Sequence, residues 1–391
     1  MTDVLDQLVD RARGMRDLVR AEAAESERLR TMSPRIVEEM WASGLMSALN
    51  PRAAGGVEPS FQEMIDTWIE MAWQDGSFGW VGIANLPSTF AAATYLPDEG
   101  FAEIFTKNDN RVTIGGQYFP NGQGTVVEGG YRLSGAWNFG SGTGHAAYIG
   151  AGFFPMNNGE MRWVSDGIPD MRVAFLPREE VTFTDGWHVQ GLKGTGSYDY
   201  NVADIFVPDY RTIPLFAREP VRGASALSRM GLMPITAAGH ASFALGVAKS
   251  MLDDVEELAA TKVRMSDMAT LASRQTFQKG LAHHVAAWRA ARLLVLDSFA
   301  TAEAAVEAGA DLTPRLRADM RLAAVYATDT AREAAEWAHL AAGTTAIREG
   351  SRLERAFRDI YTGTQHAFIS EKVAMDVAQI WLGIVDDQFG L

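Results

Sequence analysis

The texture of the sequence changes twice along the chain, and these two changes restrict the fold more than any single motif. Up to about residue 110, apolar residues recur at helical spacing. In the stretch 32–47, Ile36, Met40, Trp41, Leu45 and Met46 keep that period behind Ser33 as an N-cap and Pro34 at the first helical position. The turn Asn50-Pro51-Arg52-Ala53-Ala54-Gly55-Gly56 ends it, and a second helix is predicted from about Ser60 to Gln74. Between residues 112 and 210, β-branched and aromatic residues alternate with polar ones. Turns recur there at Asn121-Gly122, Gly129-Gly130, Asn157-Asn158-Gly159 and Asp185-Gly186. Short strands between such turns predict an antiparallel sheet or barrel.

Beyond about Leu215, Ala and Leu dominate, and four long helices are predicted over 235–258, 266–309, 314–342 and 351–382. Thr313-Pro314 is an N-cap followed by proline at the first turn, Ser351-Arg352-Leu353-Glu354 is a capping box, and Gly343 is a C-cap. Four such helices with short links predict a bundle. The expected class is α+β in three parts: a helical domain over 1–110, a β domain over 111–212 and a four-helix bundle over 213–391. Length agrees, since ~150 residues per domain allows two to three.

Charge and cysteine content narrow the chemistry. Lys and Arg number 35 and Asp and Glu 49, a net charge of −14, with no basic stripe, which argues against nucleic acid as a partner. The absence of cysteine removes disulfides, Fe–S clusters, Cys-ligated zinc and thiol nucleophiles. Met1 to Asp6 is acidic and lacks the basic and apolar regions of a signal peptide, and no apolar run approaches the ~20 residues of a membrane span. A cytoplasmic protein without a membrane partner is expected.

Most generic motifs fail. Gly142-Thr143-Gly144 and Gly194-Thr195-Gly196 do not complete a dinucleotide fingerprint, and Ala146-Ala147-Tyr148-Ile149 after the first reads as a strand. Ser141 in Phe139-Gly140-Ser141-Gly142 is no nucleophile elbow. His283 and His284 point to different helix faces, and no metal site is expected.

Other landmarks gain force from their order. They are Gly44-Leu45 with Pro51 and Gly55-Gly56, then Ala72-Trp73-Gln74-Asp75-Gly76-Ser77-Phe78-Gly79-Trp80. Next comes Gly191-Leu192-Lys193-Gly194-Thr195-Gly196-Ser197, with Val202, Asp204, Phe206, Val207 and Pro208 behind it. The bundle adds Arg274-Gln275-Thr276-Phe277 and Glu354-Arg355-Ala356-Phe357-Arg358-Asp359. Turn glycines or a structural ion pair explain each alone, but not their succession. Together they resemble the acyl-CoA dehydrogenase superfamily over nearly the whole chain. The implied fold is an N-terminal helical domain, a central antiparallel β-barrel and a C-terminal four-helix bundle.

This resemblance implies a flavin between the β domain and the bundle. Gln117, Tyr118, Phe119, Phe139, Ser141 and Gly142 are the implied contacts, with the Ser141 hydroxyl near flavin N5 and Phe139 against the ring. Arg274 and Phe277 would meet the pyrophosphate of FAD across a subunit boundary, and Arg358 joins the implied cofactor set. Where FAD-binding relatives carry Gln-x-x-Gly-Gly, this chain reads His339-Leu340-Ala341-Ala342-Gly343, so FAD and FMN both stay open. A homo-oligomer, by resemblance a tetramer, follows.

A dehydrogenase must remove a proton from its thioester substrate with a carboxylate. The resemblance puts that Glu eight residues past Asp359, where Ala367 stands behind His366; Tyr361-Thr362-Gly363-Thr364 comes too early and has no Glu. The second familiar place, 232–240, holds no carboxylate either. A histidine at 366, together with 116–131 and 134–145, resembles the group D, two-component flavin-dependent monooxygenase branch. Its members take reduced flavin from a separate NAD(P)H-flavin reductase and form a C4a-hydroperoxide with O2. They then hydroxylate an aromatic or amine small molecule. His366 and Ser141 are the implied catalytic residues; an imidazole exchanges protons near neutrality. His366, eight residues from Arg358, is expected on the same helix face. The stretch 81–90 has no histidine where phenol hydroxylases of the branch carry one, which opens amines as substrates. The rival expectations are an acyl-CoA dehydrogenase with its base elsewhere and a non-catalytic flavin-binding scaffold.

Overall fold

The computed structural model describes residues 5–165, 167–264, 268–388 and 390–391. The reading of Met1 to Val4 and the expected helix start at Ser266 lie outside them.

Six helices come first: α1 (Leu5–Gly14), α2 (Arg16–Leu29), α3 (Pro34–Ala42), α4 (Phe61–Gln74), α5 (Gly76–Tyr95) and α6 (Asp98–Ile104). Their starts follow the sequence signals. Ser33 Oγ accepts the Arg35 amide with Pro34 at the first turn, and Ser60 accepts the Glu63 amide ahead of α4. Asp75 caps α5 through the Phe78 amide at 3.1 Å. Helix α5 is apolar around its circumference and buried at nearly every position, as expected of a helix enclosed by other layers. It packs on α4 and on the first strand and a long C-terminal helix introduced next, so a side chain near its start can reach both of these.

The strands are β1 (Ile114–Val127), β2 (Gly130–Gly140), β3 (Tyr148–Asn157), β4 (Glu160–Met161), β5 (Trp163–Ser165), β6 (Ile168–Pro169), β7 (Arg172–Pro177), β8 (Thr182–Thr184), β9 (Tyr198–Pro208) and β10 (Thr212–Pro214). Among the described residues, one eight-stranded sheet runs β10-β7-β3-β1-β2-β9-β8, with β4 on β3. The expected antiparallel barrel needs two corrections. The sheet is open, since the short strands β10 and β8 end it without pairing. In addition, β1 and β3 run parallel, with Ile114 opposite Tyr148. The cause is local: β2 returns to the start of β1, and residues 141–147 then cross that end of β1. Strand β3 therefore sets out in the direction of β1. Trp137 fills the sheet's core, stacked on Tyr200 at 5.2 Å and donating Nε1–H to the Gly152 carbonyl at 2.9 Å. Burying aromatics of this size stabilises the sheet by roughly 2–3 kcal/mol each.

The remaining elements are α7 (Ala226–Met230), α8 (Leu232–Thr261), β11 (Val263–Arg264), β12 (Ala269–Thr270), α9 (Gln275–Glu307), α10 (Pro314–Ala342), α11 (Arg352–Gly363) and α12 (Glu371–Trp381). Thr313 and Ser351 cap α10 and α11 through the Leu316 and Glu354 amides. The helix expected from 266 starts only at Gln275, because the β11–β12 pair and the one-turn segment Leu271–Ser273 precede it. The helix expected over 351–382 is two helices. It breaks at Gly363, whose missing side chain leaves room for Phe243 and Trp80; a Cβ there would meet Phe243 Cε1 at 2.3 Å. His366 is thus not on a helix face shared with Arg358. It heads the 3-10 turn Ala367–Ile369 between α11 and α12.

Candidate active site

The break after α11 brings His366 to a junction of three layers. Trp80, one turn into α5, donates Nε1–H to Ser141 Oγ at 3.0 Å, just beyond the end of β2. Its ring meets Phe243 edge-on at 4.9 Å and His240 at 5.4 Å, both from α8. The His240 and His366 ring centres are 4.4 Å apart, and the Phe368 ring stacks beside His240 at 5.6 Å. The segment after β2, α5, α8 and the 366–369 turn thus meet at one junction walled by rings.

Ser141 is held rigidly. Its carbonyl accepts the Gly116 amide at 3.2 Å, and the next amide, Gly142, donates to the Thr195 carbonyl at 3.1 Å. Gly142 has φ 72°, and a Cβ there would meet the side chain of buried Asn85 at 2.2 Å. The Ser141 oxygen accepts from Trp80 and from Ser197 Oγ at 3.2 Å. A hydroxyl has two acceptor positions and one proton. Trp80 Nε1–H can only donate, so it fixes one acceptor position of the Ser141 oxygen.

Phe139 carries two costs at once. Its φ of 59° lies in the left-handed region that a bulky side chain avoids, and its ring is 65% exposed. Phe119, 66% exposed, stands nearby on β1, and its amide donates to Gln117 Oε1 at 2.9 Å. Strain retained beside an uncovered aromatic surface points to a flat partner. Among the described residues, the one ring contact of Phe139 is with Trp187, near-perpendicular at 6.4 Å, which leaves its ring available to such a partner.

The two imidazoles are held neutral. Burial, then the neighbouring His366 and Arg321, push the His240 pKa well below the ordinary value. His366 stands open in the cleft, yet protein crowds its ring, and that burial followed by the Arg321 charge brings it down to about 4. His366 Nδ1 accepts the Phe368 amide at 3.2 Å, so in the neutral ring the proton sits on Nε2. Among the described residues, no carboxylate touches these rings.

The other expected site residues lie elsewhere. Tyr118 turns inward and donates its hydroxyl to the Ser88 carbonyl at 3.0 Å. Phe277 is buried against Trp337, with ring centres 5.5 Å apart, and Arg274 precedes it at the start of α9. Arg358 is held by Glu27 at 2.9 Å, Glu354 at 3.0 Å and the Gln190 carbonyl at 3.0 Å, which uses its guanidinium in joining α2, the β domain and α11. Sequence reasoning missed Trp80, His240, Phe243, Ser197 and Phe368 as site residues. The one available signal was His240, a lone polar ring within the apolar run of α8.

Known proteins agree with this architecture. Residues 238–371 match the family model "Acyl-CoA dehydrogenase, C-terminal domain". The chain is 31% identical over 377 residues to an indole-3-acetate monooxygenase of Pseudomonas putida, covering 95% of this chain and 92% of the relative. It is 29% identical over 361 residues to the flavin-dependent monooxygenase oxygenase subunit HsaA of Rhodococcus jostii, covering 89% and 91%. In structure it is similar to XiaF from Streptomyces sp., solved with FADH2 and glycerol. The TM-score there is 0.90 at 23% identity, covering 100% of this chain and 98% of XiaF.

Proposed function

The chain belongs to the acyl-CoA dehydrogenase superfamily, in its group D branch of flavin-dependent monooxygenases, and from that premise we propose that it is an oxygenase component hydroxylating an aromatic small molecule with reduced flavin and O2. The observation that carries this reading is the His240–His366 pair, 4.4 Å apart, with Ala367 rather than a glutamate beside it at the position where the resemblance puts a thioester dehydrogenase's carboxylate. The related proteins support it. One is named for indole-3-acetate, and another is an oxygenase subunit, a name that implies a separate reductase.

The residues fit a flavin. Phe139 offers it a strained, uncovered ring, and Gly116 and Gly142 let the flanking backbone segments close together. Gln117, Phe119, Phe139, Ser141 and Gly142 are assigned to hold it, with the Ser141 hydroxyl at N5. Bound in reduced form, the flavin supplies the electrons that activate O2 for transfer of one oxygen atom to the substrate. Trp80 and Ser197 fix the Ser141 oxygen so that its proton is offered without reorganisation. His366, neutral with its proton on Nε2, offers that N–H as a hydrogen-bond donor beside the reacting oxygen. Trp80, Phe243, His240 and Phe368 wall the cleft with rings that favour a flat substrate and exclude water.

The isoalloxazine ring is common to FAD and FMN, and the reading holds for either. It includes a homotetramer in which Arg274 and Phe277 of one subunit approach the flavin of the next, a cytoplasmic location, and three units divided near residues 111 and 213. Arg358 is left to its ion cluster. The test is turnover with NADH, a flavin reductase, labelled 18O2 and a panel of aromatic compounds that includes indole-3-acetate. One labelled oxygen in a product supports the reading. No label in any product, together with reduction of the flavin by acyl-CoA under anaerobic conditions, would return the chain to the dehydrogenases.

A further inference from the structure

Arg321, on α10, is only 6% exposed and lies behind the ring wall. Its guanidinium carbon is 3.3 Å from the centre of the Phe368 ring, and Nη2 donates to the Phe368 carbonyl at 3.1 Å. The amide of that same Phe368 donates to His366 Nδ1. Two contacts to Phe368 and one from it therefore lead from a buried cation to one nitrogen of one imidazole. Nε and Nη1 of Arg321 find no hydrogen-bond partner among the described residues, so the chain retains a costly, incompletely paired charge at this place.

We infer that Arg321 is a positioning residue for His366, clamping the Ala367–Ile369 turn so that the Phe368 amide stays on Nδ1 and the imidazole proton stays on Nε2. The inference rests on the assignment of His366 above and adds what sets its working form. A planar guanidinium suits the task because its carbon lies over the Phe368 ring while one of its nitrogens bonds the Phe368 carbonyl; a compact ammonium on a different stem cannot hold both contacts in the same geometry. The charge also opposes a second proton on His366. Around that ring stand His240 from α8, itself neutral, Trp80 from α5 and Arg321 from α10. Asp376 of α12 offsets Arg321 only in part, since Lys372 and Gln388 hold its oxygens.

Nitrogen-15 histidine spectra of the flavin-free full chain test this, with His366→Gln identifying the signal. Wild type is expected to show the Nε2–H form of His366, uncharged, from pH 5.5 to 8. In Arg321→Met the signal should become a mixture of tautomers, with its titration midpoint more than one pH unit higher. Arg321→Lys, which keeps the charge, should mix the tautomers while the midpoint stays low. Wild-type tautomer and titration in Arg321→Met would overturn the inference. If Arg321→Met does not fold, an unmixed tautomer in Arg321→Lys overturns it. The spectra need no flavin or turnover, so their failure leaves the oxygenase reading standing. Conversely, if the tautomer changes while the division of O2 between product and H2O2 does not, the clamp is supported and the role of His366 in the reaction falls.

Discussion

His240, buried in α8, and His366, at the head of the turn after α11, hold their rings 4.4 Å apart. Two imidazoles so close cannot both carry charge cheaply, and burial with the Arg321 charge opposes even the first proton. The cleft therefore contains two neutral rings at pH 7, one with a defined N–H.

If His366 acts as that neutral donor, His366→Ala should raise the share of consumed O2 released as H2O2, with product formation falling roughly tenfold or more. A peroxide assay beside product chromatography measures both. Because crowding of its ring and then the Arg321 charge push the His366 pKa down to about 4, wild-type coupling should also be flat from pH 6 to 8. A midpoint near the ordinary histidine value would contradict the assignment.

Trp80→Phe keeps a ring against His240 and Phe243 but removes the donor to Ser141. The expected loss of stability is about 1 kcal/mol, read from denaturant melts. Ser141→Ala and Trp80→Phe should raise H2O2 release by less in combination than the sum of their separate effects, because both act through one hydroxyl. Strict additivity would separate the two residues.

Phe139→Gly should move stability and binding in opposite directions. Glycine relieves the left-handed backbone at φ 59°, which is expected to stabilise the chain by about 1 kcal/mol. Losing the exposed ring should weaken flavin binding at least severalfold. Thermal melts and flavin titration decide; unchanged flavin affinity would remove Phe139 from the site.

Gly142→Ala should cost about 2 kcal/mol or more, since the new methyl meets Asn85, which is fully buried and bonded to the Ile114 carbonyl at 2.8 Å. A melt within a few tenths of wild type would mean that the 141–142 segment is less constrained than its contacts imply.

The caps at Ser33, Thr313 and Ser351 were legible in the sequence because each acts within four residues. The helix break before His366 was not. Gly363 reads as neutral within a helical pattern, and what it accommodates, Phe243 and Trp80, comes from distant segments. The parallel β1–β3 pair was hidden for a similar reason, since the path of residues 141–147 over β1 leaves no trace in strand periodicity. Of the candidate site, Ser141, Phe139 and His366 were named through motif resemblance. His240 and Trp80 enter through ring contacts that no local pattern records.

Acid should destabilise the fold partly through His145, whose ring nitrogens are both buried without a hydrogen-bond partner among the described residues and whose pKa burial and Arg178 push down to about 4. The sign follows from the depressed value. Above the unfolded pKa of about 6.5 the stability is fully present, and it is lost as pH falls toward 4, because only the unfolded chain accepts the proton. His145→Gln should remove about 1–3 kcal/mol of the pH dependence in that window. Unfolding curves at pH 7 and pH 5 check it, and an unchanged difference would clear His145.

The central claim is that this cleft handles O2 with reduced flavin rather than dehydrogenating a thioester. Stopped-flow mixing of the chain and anaerobically reduced flavin with O2 tests it most directly, by timing the return of oxidised-flavin absorbance against free flavin. The account predicts a return clearly slower than that of free flavin, and faster in His366→Ala than in wild type. A return as fast as that of free flavin, and indifferent to His366, would contradict it.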